Sequence, residues 1–275
     1  MIEKHIEIVG TNQRIISIDY RYSESSRSMI PIIYVHGYKG FKDWGASNVF
    51  ANTFAAQGFL FIKFNFSHNG VTSDHPVDFV DLEAFGNNNY EIELNELGLV
   101  IDWLQSSELD VNLSKLAVMG HSRGGGIALL RTSQDQRIKK AITWASVCDF
   151  KRRFPAERSD WRETGVQYIY NGRTMQMMPL YYQFYENYKK HERRLDVLEN
   201  SRAIDVPLLI IHGTNDTAVD FSEAKELHHT VNGSELLKID KAGHTFGATH
   251  PYEGTNLPSE LNRVVRASIV FLTED

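Results

Sequence analysis

Cysteine is almost missing from this sequence: Cys148 is the only one in 275 residues. A lone thiol excludes an intramolecular disulfide and a Cys-rich zinc site. Long apolar runs are missing too, since none approaches the ~18 residues that would suggest a membrane span. The opening Met1-Ile2-Glu3-Lys4-His5-Ile6-Glu7 alternates aliphatic and charged residues and lacks the apolar stretch of a secretion signal. A reducing cytoplasm is therefore the expected compartment. Nor is there an excess of positive charge: 29 Lys+Arg against 35 Asp+Glu leaves a net −6. That balance argues against a nucleic-acid binder driven by bulk potential. Histidines and carboxylates do not fall at a metal spacing such as H-E-x-x-H, so neither a metal nor a cofactor is expected. Internal repeats and low-complexity segments are also absent.

What is present fits a soluble globular chain, with 42% hydrophobic and 23% charged residues. A chain of this length buries roughly 75% of its unfolded surface. Ile6–Val9 and Ile15–Tyr20 read as antiparallel strands turned by Gly10-Thr11-Asn12. Five nearly continuous apolar runs follow: Ile30–Val35, Phe59–Phe64, Lys115–Met119, Ala141–Ala145 and Pro207–Ile211. Runs of that kind are strands buried on both faces. Glu235–Ile239 is the last candidate strand. Helical patterns fall between them, at Val49–Gln57, Tyr90–Gln105, Arg123–Arg131, Ser222–His229 and Ser259–Leu272. Strands alternating with helices predict an α/β fold with a mostly parallel sheet covered on both faces. About sixty residues between Ser146 and Pro207 break the rhythm. They read as a cap insertion, 149–205, within a single domain 1–275 and before the penultimate strand.

Gly120-His121-Ser122-Arg123-Gly124 fits G-x-S-x-G between an apolar strand and a helical segment. That is the setting of a nucleophile elbow, where the turn is so tight that side chains flanking the serine must vanish. The competing reading is a glycine-rich turn without chemistry. A serine hydroxyl is a weak nucleophile and needs a base and a group to orient it. In such sites the chain order is serine, acid, histidine. Asp216 follows the strand ending at His212-Gly213, and His244 follows the last strand. Asp149 is the rival acid; chain order and loop position favour Asp216. Oxyanion donors should be the backbone N–H groups of Arg123 and, from the loop after Val35, Tyr38. Asp43 with Trp44 could line a pocket or simply form a turn. Cys148, outside the elbow, reads as a small buried hydrophobe.

On these motifs the chain resembles serine hydrolases of the α/β-hydrolase superfamily over nearly its full length. His36-Gly37-Tyr38-Lys39-Gly40-Phe41-Lys42-Asp43-Trp44, Phe64-Asn65-Phe66-Ser67-His68-Asn69-Gly70 and Phe85-Gly86-Asn87 are similar to the dienelactone-hydrolase-like and feruloyl-esterase-like branch. Dienelactone hydrolases proper use a cysteine where this elbow carries Ser122, which favours ordinary esters. The resemblance implies a carboxylic-ester hydrolase acting on a small-molecule ester, with a peptidase or thioesterase on the same triad as the alternative. A hydrolase-fold binding protein without turnover is the alternative of another class. The insertion's density of Tyr and Met beside the site makes Met178, Tyr181 and Tyr182 the candidate substrate-binding residues.

Overall fold

The computed structural model describes residues 1–154 and 159–274. The strands are β1 (Ile2–Val9), β2 (Ile15–Tyr22), β3 (Pro31–Val35), β4 (Leu60–Asn65), β5 (Ala117–His121), β6 (Lys140–Trp144), β7 (Val166–Asn171), β8 (Gln176–Tyr181), β9 (Leu208–Gly213) and β10 (Glu235–Ile239). The helices are α1 (Ser47–Ala56), α2 (Leu82–Asn87), α3 (Tyr90–Ser106), α4 (Arg123–Gln134), α5 (Ser159–Thr164), α6 (Gln183–Lys190), α7 (Val197–Ser201), α8 (Phe221–Thr230) and α9 (Ser259–Thr273).

Eight strands form one sheet in the order β1-β2-β4-β3-β5-β6-β9-β10. From β4 to β10 every pairing is parallel, whereas β2 runs antiparallel to both β1 and β4. The continuous apolar runs are explained by what each face meets. Ile33, Val35, Val118 and Ile210 point into a core built with α3, α4 and α8. Their neighbours Ile32, Tyr34, Met119 and Ile211 point into a second core built with α1 and α9. A period of two with both faces covered leaves few polar positions along these strands. This is the α/β-hydrolase fold.

Helix starts follow their side chains. Asn89 accepts the Ile92 amide at 3.0 Å ahead of α3, and Asp220 accepts the Ser222 amide at 2.8 Å ahead of α8. The strand expected at Lys115–Met119 is shifted to Ala117–His121. Asn112 caps a single turn at Leu113–Lys115, and ladder pairing continues through Gly120↔Val35 and His121↔Trp144.

The insertion between β6 and β9 carries α5, the antiparallel hairpin β7–β8, α6 and α7. Residues 155–158 of the expected cap lie outside the described residues. The hairpin packs over α2, where the Tyr181 hydroxyl donates to Glu83 at 2.6 Å. The loops after β3, β5, β9 and β10 all leave the carboxyl edge of the sheet, the edge at which open α/β sheets bind ligands.

Candidate active site

Ser122 sits between the last residue of β5 and the first of α4, with φ 57° and ψ −122°. A β-carbon at that φ is strained, by on the order of 1–3 kcal/mol, and persists only where surrounding bonds over-determine it. Here they do. The Ser122 amide donates to the Trp144 carbonyl at 2.9 Å, and the Ser122 carbonyl accepts from Gly125 at 3.0 Å and Val147 at 3.2 Å. A β-carbon on Gly120 would lie 2.2 Å from the Gly124 carbonyl oxygen, and one on Gly124 would lie 2.4 Å from that of His36. The glycines of the motif are thus required by backbone contact.

Asp216 lies in the loop after β9 with its side chain wholly buried. One carboxylate oxygen accepts the Ala218 and Val219 amides, each at 2.9 Å. The other accepts from His244 Nδ1 at 2.7 Å and faces His212 Nε2 at 3.3 Å. Burial alone would raise its pKa; hydrogen bonds from His212, His244 and Val219 outweigh that and hold it well below the usual carboxylate range. Asp149 instead accepts the Lys151 amide at 2.6 Å and pairs with Arg152 at 3.4 Å. The structure thus puts Asp216, not Asp149, on His244.

Two further histidines complete this arrangement and were not singled out in the sequence. His121 Nε2 bonds the His244 carbonyl at 2.9 Å, with the two rings 4.7 Å apart. His212 Nε2 donates to the Val219 carbonyl at 2.9 Å, fixing the turn whose amides bind Asp216. The available signal was position: both imidazoles lie at the carboxyl ends of their strands, β5 and β9.

The loop after β3 is folded by its own polar groups. His36 is buried, with its ring edge-on to Phe66 at 5.0 Å. Its Nδ1–H donates to the Gly37 carbonyl at 2.9 Å, which also accepts the Gly40 amide at 3.0 Å. That bond closes a turn with Tyr38 and Lys39 at its centre, Lys39 taking φ 53°. The Tyr38 amide donates to no backbone carbonyl among the described residues. The Arg123 amide opens α4, where the first N–H groups have no intrahelical acceptor. A β-carbon on Gly37 would lie 3.0 Å from that of Ser122, which shows how closely the loop approaches the elbow. Farther along, Lys42 bonds Asp19 and Asp43, while Lys63 bonds Asp43 and Asn48. Asp43 therefore anchors the loop within a buried ion cluster, whereas Trp44 lines the cavity beside Ser122.

Two cavities meet at Ser122, His244, Tyr38 and Lys39. The smaller, about 130 Å³, is bounded by Tyr34, His36, Phe41, Trp44, His121 and Thr245. The larger, about 380 Å³, is walled by Tyr90, Arg123, Val147, Phe150, Arg153, Ile169, Leu180, Phe184 and Val219. Met178, Tyr181 and Tyr182 line neither. Met178 is buried against Phe41, Phe79 and Phe85, Tyr181 covers Gly86, and Tyr182 stands edge-on to Trp161. The insertion reaches the site through Phe150, Arg153, Ile169, Leu180 and Phe184 instead. Among the described residues no cluster of His, Cys, Asp and Glu could hold a metal ion, and no helix is long and apolar enough to cross a membrane.

The buried histidines set an acid limit on stability. Burial pushes His36 down to about 4 and His121 down to about 3 from the ordinary 6.5. The unfolded chain takes up these protons below pH 6.5 and the folded chain does not. The contribution is therefore complete above about pH 6.5, is lost progressively below it, and is gone once pH has fallen through about 4 for His36 and about 3 for His121. Each such group removes up to about 1.4 kcal/mol per pH unit in that window. Urea midpoints measured from pH 7.5 to 4.5 should fall steadily below 6.5. A flat profile would show that these imidazoles accept protons within the fold.

Comparison with known proteins places this geometry. The prolyl oligopeptidase family matches residues 51–257, while no curated protein matches the sequence. Among solved structures, a putative hydrolase from Agrobacterium vitis superposes with a TM-score of 0.76 at 17% identity, covering 99% of this chain and 100% of the other. Est1E from Butyrivibrio proteoclasticus, with ferulic acid bound, gives 0.73 at 17% identity over 97% of each chain. A dienelactone hydrolase from Anabaena variabilis gives 0.64 at 13% identity, covering 98% of this chain and 96% of the other. At such identities the likeness is one of fold. The family match spans most of the chain, so this protein, a hydrolase of the α/β-hydrolase superfamily, belongs to the prolyl oligopeptidase family.

Proposed function

We propose that the chain hydrolyses carboxylic esters through an acyl-enzyme formed on Ser122. The observation that carries this reading is the 2.7 Å bond from His244 to buried Asp216 at the mouth of a cavity that Ser122 also lines. Ser122 Oγ attacks the ester carbonyl as its proton passes to His244 Nε2. The tetrahedral oxyanion is received by the Tyr38 and Arg123 amides. As the ester C–O bond breaks, His244 gives that proton to the departing alkoxide. Water then attacks the acyl-enzyme, loses its proton to His244, and Ser122 recovers it as the acid leaves. Asp216 holds the imidazole in the required tautomer and steadies its charged form.

The larger cavity, with Phe150, Phe184, Leu180 and Ile169 on its walls, suits an aromatic acyl group of the cinnamoyl kind. Segment 149–205 caps that cavity within a single domain. The lone thiol of Cys148 is buried, which suits a reducing cytoplasm. The family match favours a second reading, the same triad acting on a peptide or other amide.

A fluorophosphonate probe and three substrates decide among these. The probe should label Ser122, and p-nitrophenyl and methyl cinnamate esters should turn over while peptide anilides do not. Preferential anilide cleavage would make the chain a peptidase. Failure to label would leave a binding protein on a hydrolase fold.

A further inference from the structure

Arg123 is an anomaly by local rules. It is the first residue of α4, where a cation opposes the helix dipole, and it is only 8% exposed. Its partner Glu93, from α3, is 3% exposed and 3.3 Å from the guanidinium. Burying such a pair costs much of what the attraction returns, so it is poorly explained as a stabilising device. Its surroundings supply another reason. The guanidinium carbon lies 3.9 Å from the centroid of the Tyr38 ring, within cation–π distance. The Tyr38 ring rests in turn on Phe85 at 5.5 Å. Glu93 is itself fixed by Asn88, which donates to it at 2.7 Å. Tyr90 and Phe184 stand around the guanidinium at 5.1 and 5.2 Å.

Tyr38 and Arg123 are also the two residues whose amides are assigned to the oxyanion. They come from different elements, the turn after β3 and the start of α4, and no bond between their backbones fixes the spacing of the two donors. We propose that the Arg123–Tyr38 stack, held by Glu93, is a clamp that sets the distance between the two oxyanion amides. Arg123 and Tyr38 then act twice, by backbone on the substrate and by side chain as positioning residues for one another. Glu93, which lines neither cavity, is a positioning residue alone. The ring matters and the hydroxyl does not, since the buried Tyr38 hydroxyl has no partner among the described residues.

The clamp rests on the ester-hydrolase reading, and its test keeps the two apart. Ser122-dependent turnover by the wild-type protein is measured first; without it, both proposals fall. A double-mutant cycle on a p-nitrophenyl ester then follows. Tyr38→Leu and Arg123→Met should each lower kcat about 10- to 100-fold with KM within about threefold, the pattern of donors displaced rather than substrate lost. The double variant should be no slower than the worse single one, because either change alone opens the clamp. Glu93→Gln, which keeps the shape and removes the charge, should lower kcat by less than either single change, with KM again within about threefold. Affinity for a phenylboronic acid, which places a charged tetrahedral group at the oxyanion site, should drop in step with kcat/KM. Multiplicative losses in the double variant, losses confined to KM, or a Tyr38→Leu enzyme like wild type would overturn the clamp. Should Arg123→Met fail to fold by circular dichroism, Tyr38→Leu decides alone: a kcat within about twofold of wild type would end the proposal.

Discussion

Replacing Ser122 with alanine should lower kcat for ester hydrolysis by about 10³-fold or more, the scale seen when a catalytic nucleophile is deleted. The fold should survive, because only Oγ is removed. The three backbone hydrogen bonds that hold the turn, to Trp144, Gly125 and Val147, involve no side-chain atom of Ser122. The φ of 57° makes the same site a probe of strain. Alanine keeps the β-carbon and hence the strain, whereas glycine removes both. Ser122→Gly should therefore be as inactive as Ser122→Ala yet more stable than it by about 1 kcal/mol. Initial rates on a p-nitrophenyl ester and thermal melts of both variants test the two statements. Near-wild-type turnover in Ser122→Ala would remove the nucleophile from the mechanism. Equal melting temperatures would mean the elbow is not strained.

The elbow was legible because its requirements are steric and local. Only glycine fits where Gly120 and Gly124 meet backbone oxygens at 2.2 and 2.4 Å, and the flanking strand and helix announce themselves by periodicity. The insertion was harder to read for the opposite reason. Aromatic density between Tyr168 and Tyr182 suggested a pocket wall, but a strand sends alternate residues to opposite faces. In β7 that alternation turns Tyr168 and Tyr170 to solvent and Ile169 into the cavity; in β8 it exposes Met177 and buries Met178. Counting side chains by density named Met178, Tyr181 and Tyr182, which line neither cavity. Helix α3 hides its polar groups in a related way. Its apolar stripe implies a polar face in water, yet Glu93 and Glu96 are buried. Glu93 serves Arg123, and Glu96 accepts the amides of Thr11 at 3.0 Å and Ser67 at 2.8 Å. Lys63, inside an apolar strand, is the buried partner of Asp43. Partners distant in sequence make these charges tolerable, and no local pattern reveals them.

Changing Asp216 to asparagine should cost nearly as much as losing the nucleophile, by a different route. In the folded protein both carboxylate oxygens are engaged: one accepts two amides, and the other accepts from His244 with His212 Nε2 3.3 Å away. An amide side chain has one oxygen, and the Ala218 and Val219 N–H groups claim it, since turning the NH₂ toward them would set donor against donor. The NH₂ then faces His244 Nδ1 and can only donate to it. That bond selects the imidazole tautomer with its proton on Nε2, the nitrogen that must be bare to accept the Ser122 proton. It also leaves the developing imidazolium without an anion. The expected loss is about 10⁴-fold in kcat near neutral pH, with little change in KM. Asp149→Asn, which disturbs a Lys151 amide and an Arg152 ion pair at the surface, should stay within severalfold of wild type. Stability separates this from simple unfolding. The native carboxylate is held far below its ordinary pKa, so the wild-type protein gains stability from Asp216 at every pH above about 4 and loses it only as acid protonates the group. Asp216→Asn should therefore be destabilised by an amount constant from pH 5 to 8, while its activity deficit stays near 10⁴-fold. A reversed ranking of the Asp216 and Asp149 variants in kcat would move the acid of the triad to Asp149.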